Sequence, residues 1–125
     1  MKKLLLMFVG LFILATAAYA APVAPILDVS SHLPRSKPIV EMEDAIINAA
    51  KEIGWQTRII AQGHIEATIY VRAHTAKATI LYTSEGYEIK YLDSYNLKYD
   101  PTKGTIHRNY NKWIQKLNSR IYRKL

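Results

Sequence analysis

Polar side chains able to do chemistry gather in the C-terminal third of this 125-residue chain. His107 and Asn111 are one helical turn apart, and Ser94, Asn96 and Tyr99 occupy the stretch that leads into that turn. Histidine gains and loses its proton near neutral pH, and amides and hydroxyls beside it would supply uncharged donors and acceptors. Such a set could line a polar pocket in a ligand-sensing protein or a small hydrolase. The same residue types also cap helices and satisfy loop carbonyls, which is the competing reading. A Ser-His-Asp arrangement drawn from Ser94, Asp93 and either His74 or His107 lacks the small-residue elbow and the legible oxyanion hole that such chemistry needs. His32, His64, His74 and His107 show no paired ligand spacing, and cysteine is absent, so neither a metal centre nor a cofactor is expected.

The second chemical feature is charge. The chain holds 17 basic and 10 acidic residues, and the imbalance is C-terminal. From residue 98 onward, Lys98, Lys103, Arg108, Lys112, Lys116, Arg120, Arg123 and Lys124 stand against Asp100 alone. Arg108, Lys112, Lys116, Arg120 and Arg123 form a stripe along one arc of a final helix predicted over residues 108–124, opposite the apolar arc of Tyr110, Trp113, Ile114, Leu117, Ile121 and Leu125. A stripe of this kind fits an anionic partner: an acidic protein surface, an anionic polymer or a lipid headgroup. Cations near a helix C-terminus also meet the negative end of its dipole, so part of the charge is explained without a partner. The apolar arc is expected to dock on the protein's own sheet, because burying it there outweighs its insertion into a membrane surface.

The remaining elements must position these two features. Ile39, Met42, Ile46, Ala49, Ala50 and Ile53 recur at spacings of three and four, which predicts a first helix with Ser36 as N-cap and Gly54 ending it. Periodicity then switches to two, predicting four strands: residues 55–60, 65–72, 78–82 and 87–91, with a turn at 72–76 and a long loop at 93–105. Their short connections require antiparallel neighbours. The result is an α+β domain of order α-β-β-β-β-α, an antiparallel meander with two helices on one face, and Tyr82, Tyr87, Tyr91, Tyr110 and Trp113 in its core. Thr68, Tyr70, Arg72, Lys77, Thr79, Leu81, Glu88 and Lys90 are expected on the open face, where Tyr70 and Tyr95 would be exposed.

Ahead of this domain, Lys2 and Lys3 precede an apolar run at 4–15, and Ala18 and Ala20 supply the small residues of a cleavage site. Residues 1–20 therefore read as a signal peptide cleaved after Ala20, and the product as periplasmic or secreted. Ala21 stands where a lipoprotein would carry cysteine, and the apolar run is shorter than the ~20 residues that span a bilayer. Residues 21–37, with Pro22, Pro25 and Pro34, read as an extended leader without regular structure, and 38–125 as the single domain. Export argues against nucleic acid as a partner.

Tyr91, Ser94, Asn96-Leu97, Tyr99, Ile106-His107, Asn109-Tyr110-Asn111 and Trp113-Ile114, together with Gly54-Trp55 and the turn at His74, give the chain its look. In these motifs it resembles a group of small secreted proteins and lipoproteins of Gram-negative bacteria. The resemblance implies an envelope location and one compact domain, and carries no assigned activity. The expected function is thus a non-enzymatic domain binding another envelope component through its loop, open face or basic stripe, with peripheral membrane contact allowed. A pocket protein centred on His107 and Asn96, and a homodimer joined along edge strands, are the alternatives.

Overall fold

In the computed structural model, residues 22–125 are described, so residues 1–20, read above as a signal peptide, lie outside them. The elements run β1 (Val23–Pro25), β2 (Val29–His32), α1 (Ile39–Glu52), β3 (Gln56–Ala61), β4 (His64–Val71), β5 (His74–Thr83), β6 (Gly86–Tyr95), β7 (Thr105–His107) and α2 (Arg108–Arg123). Strands β3 to β6 form the predicted antiparallel meander. The sheet has five strands in the order β2-β6-β5-β4-β3, and β1 and β7 make a separate two-stranded pair.

Period-two patterning explains the sheet's inner face. Ile65, Ala67 and Ile69 of β4, Ala76, Ala78, Ile80 and Tyr82 of β5, and Tyr87 and Ile89 of β6 are buried, and their cross-strand register keeps them on one side. Tyr82 and Tyr87 are register partners. One phenol donates to Glu43 of α1 at 2.7 Å and the other to Asn118 of α2, so both helices lie over the same face. Met42, Ile46, Ala49 and Ala50 from α1 and Tyr110, Ile114, Leu117 and Ile121 from α2 complete one core. Burial, aided by the Glu43 carboxylate, pushes the Tyr82 hydroxyl up to about 12.

Several expectations are corrected. The 21–37 leader carries β1 and β2, so the fold begins there rather than at 38 and the sheet gains a fifth strand. Prolines did not prevent this, because Pro22 and Pro34 flank the strands, Pro25 ends β1, and β2 is an edge strand. Helix α1 is capped by Pro38, without a side-chain bond, instead of by Ser36. The turn after β4 is only Arg72-Ala73, and the 93–105 loop gives up its first residues to β6. Trp55 is the buried indole at 3% exposure, while Trp113 packs half-buried at the core's margin. On the open face, Tyr70, Arg72 and Lys90 are exposed, but Thr68, Lys77, Thr79, Leu81 and Glu88 are half-buried among their neighbours.

Candidate functional site

Helix α2 begins where β7 ends, and the junction is His107. Its Nδ1 accepts a hydrogen bond from the Asn109 amide at 3.1 Å, so the imidazole is the N-cap side chain. Its own amide donates to the Leu97 carbonyl at 2.8 Å. A neutral imidazole accepting at Nδ1 carries its proton on Nε2. His74, at the start of β5, has the opposite arrangement: its Nδ1 lies 2.7 Å from the Asn96 carbonyl, which can only accept, so Nδ1 donates. The two rings are 6.4 Å apart. Desolvation, then the charges of His74, Lys98, Arg108 and Lys112, hold the His107 pKa below its ordinary 6.5.

Strain collects around the same pair. Arg72, Asn96 and Lys98 have φ of 56°, 60° and 54°, the left-handed region. Asn tolerates it, but for Arg72 and Lys98 it costs about 1–2 kcal/mol each. The Asn96 side chain donates to the Ala73 carbonyl at 3.3 Å, which ties the Arg72-Ala73 turn to the chain leaving β6.

The predicted site residues are therefore brought to one end of the molecule but divided between tasks. Ser94 Oγ meets the Tyr91 hydroxyl at 2.8 Å. Tyr99 stacks on Tyr91 with ring centroids 4.3 Å apart, and Tyr91 in turn meets Tyr110 edge-on. Asn111 clamps the leader: its Oδ1 accepts from the Leu27 amide at 3.0 Å and its Nδ2 donates to the Pro25 carbonyl at 2.9 Å. Asn96 and His107 tie loops and a helix start. The Tyr110 hydroxyl is buried and finds no hydrogen-bond partner among the described residues, and burial raises its pKa strongly. Sequence reasoning gave His74 no place beside His107. The turn at 72–73 and the stretch at 96–98 meet only through tertiary structure, and no local signal announces it.

The basic stripe divides as well. Arg120 and Lys124 both bind the Glu52 carboxylate of α1, at 2.9 and 2.6 Å, and together hold its pKa below the ordinary value. Arg120 thus leaves the predicted contact surface and serves as a helix-to-helix tie. Lys112, Lys116 and Arg123 remain exposed, with no ion pair among the described residues. No acidic residue occurs in the first turn of α2.

Cavities lie elsewhere, and two of them border β2 or the segment that follows it. One, about 480 Å³, is an open depression between β2, the Gln62-Gly63 turn and the β5–β6 hairpin. Another, about 240 Å³, sits against the C-terminal end of α2. Among the described residues, no helix is long and apolar enough to cross a membrane, and no cluster of His, Asp and Glu could hold a metal ion. Compared with known proteins, the chain matches no family model and no curated protein.

Proposed function

We propose that this chain is a secreted, non-enzymatic binding domain of the cell envelope, and that the exposed arc of α2 is its contact with an anionic component. The carrying observation is where the unpaired cations stand. Like charges at i, i+4 cost about 0.2–0.5 kcal/mol per pair, and cations near a helix N-terminus oppose its dipole. Lys112 and Lys116 are such a pair, Lys112 lies in the N-terminal half of α2, and neither has a counter-charge among the described residues. No ion pair among the described residues accounts for them. Arg120 and Lys124, by contrast, are explained by Glu52. An anionic partner supplies the missing compensation, and Asn96 Nδ2, His107 Nδ1 and both polar atoms of the Asn111 side chain are already engaged in holding loops together.

The variant Lys112→Glu/Lys116→Glu separates fold from function. It should unfold at a temperature equal to or above that of the native chain, yet lose salt-sensitive retention on a sulfated polymer and on vesicles containing anionic lipid. Comparing polymer with vesicle identifies the source of the charge. Lower stability with unchanged retention would overturn the proposal.

A second reading, ligand sensing at His107 and Asn96, is favoured by the left-handed residues around a histidine pair whose Nε2 atoms offer one donor and one acceptor. His74→Gln would abolish ligand-induced NMR shifts at residues 96–98 if that reading holds, and a library of small polar metabolites producing no such shifts in the native chain would dismiss it.

A further inference from the structure

The 240 Å³ cavity lies between the segment that follows β2 and the last turn of α2. Leu33, Pro34, Tyr122 and Leu125 line it with apolar surface, and Arg35 and Lys37 complete its wall. We propose that it receives the apolar end of a single-chain anionic amphiphile, such as a medium-chain carboxylate, whose head is met by Arg35 and Lys37. This site is separate from the α2 arc and does not depend on it.

Three observations carry the assignment. First, the wall is fixed before any ligand arrives. The Leu33 amide donates to the Glu85 carbonyl and the Lys37 amide to the Ser84 carbonyl, each at 2.8 Å, so both ends of the 33–37 segment are pinned to the β5–β6 turn. Second, size is sufficient but modest. An apolar cavity of about 150 Å³ accepts benzene, so this one takes a ring or a short run of methylenes and leaves the rest of a long chain outside. Third, charge selects the head. Arg35 and Lys37 make no ion pair among the described residues, and their cationic groups beside an apolar wall complement a carboxylate or phosphate attached to hydrocarbon. Tyr122 is 52% exposed and lends both an aromatic face and a hydroxyl donor. A neutral sugar would leave the hydrocarbon wall poorly used, and an organic cation would be repelled.

The test is a two-dimensional NMR titration of the processed chain with hexanoate, octanoate and decanoate, kept below micelle-forming concentrations. Shifts should centre on residues 33–37 and 122–125. Each added methylene that enters the cavity should tighten Kd about fourfold, and the gain should stop once the space is filled. Octyl glucoside, with the same hydrocarbon and no charge, should bind at least tenfold more weakly than octanoate. Arg35→Glu/Lys37→Glu should remove that difference, and Tyr122→Ser should weaken both ligands; all three residues are at the surface or half-buried, and the spectrum itself reports that the fold is intact. Lys112→Glu/Lys116→Glu should leave octanoate binding unchanged, so failure at this site and failure of the α2 arc are read independently. Equal affinity for octanoate and octyl glucoside, shifts centred elsewhere, or binding only to anionic vesicles and never to the monomeric carboxylates would overturn the proposal.

Discussion

His107 should make this protein's stability fall as pH drops, and the cause can be isolated by one substitution. Its Nδ1 accepts the Asn109 amide and so must be unprotonated for the cap to exist. Burial, His74 and the nearby Lys98, Arg108 and Lys112 hold its folded pKa below the ordinary 6.5. Above about pH 6.5 the imidazole is neutral in both folded and unfolded chains, and its contribution is complete. As pH falls from there through the lowered folded pKa, the unfolded chain takes up a proton that the folded chain resists, so stability declines across that window and then levels. His107→Asn keeps a side-chain acceptor at the N-cap but does not titrate, whereas His107→Ala removes the acceptor. At pH 7.5 the alanine variant should lose about 1 kcal/mol, which with a urea m-value of about 2 kcal/mol/M moves the midpoint down by roughly 0.5 M. The asparagine variant should unfold near the native midpoint at pH 7.5 and above it at pH 5. Urea titrations of the three proteins between pH 5 and 8 decide the matter. If the native and asparagine curves run parallel throughout, or if asparagine loses as much as alanine, the cap does not act as described.

Asn111→Ala removes both partners of the leader and should cost about 1–2 kcal/mol while hydrogen exchange at Leu27 accelerates; unchanged protection would mean β1 is held by its pairing with β7 alone. Tyr110→Phe deletes a buried hydroxyl that lacks a partner, so thermal stability should hold or rise by up to about 1 kcal/mol. A loss in that variant would show that the hydroxyl is satisfied, with water reaching toward Asp28 as the first place to look. Gly86→Ala places a methyl group into the Ser31 carbonyl oxygen, which should part β2 from β6, cost about 1–3 kcal/mol and open residues 22–37 to limited proteolysis. Resistance to protease equal to the native chain would refute that close approach.

The elements with strong periodicity were legible in the sequence. Ile65 to Val71 alternate, Ile114, Leu117 and Ile121 recur at helical spacing, and these patterns place both helices on one face of the meander. What was not legible is long-range. Val29–His32 is too short and too hemmed by prolines to declare itself a strand, and it becomes one because β6 offers an open edge to pair with. Trp113 shares the helical arc of Tyr110 and Leu117, yet it falls at the border of that arc and stays half-buried, whereas Trp55 reaches the core from the α1–β3 connection. Arg120 looked equivalent to Lys116, but Glu52 reaches Arg120 from the neighbouring helix and leaves Lys116 to solvent. A sequence pattern reports which face a residue occupies and is silent on which residue of another element lies across from it.

The polar motif at the α2 junction follows from a topological demand. The chain enters at β1, beside the start of the last helix, while β7 must arrive at the same place from the far end of a loop. Backbone groups meet there that belong to no common strand: the Pro22 carbonyl accepts from the Arg108 amide, the Gly104 carbonyl from the Ile26 amide, and the Leu97 carbonyl from the His107 amide. Other backbone groups at the junction have no such backbone partner, and side chains supply it: Asn96 donates to the Ala73 carbonyl, His107 accepts from the Asn109 amide, and Asn111 accepts from the Leu27 amide and donates to the Pro25 carbonyl. The cations have no comparable duty. Lys112 and Lys116 each have a like charge four residues away and no counter-charge among the described residues, a cost that the proposed anionic partner would relieve.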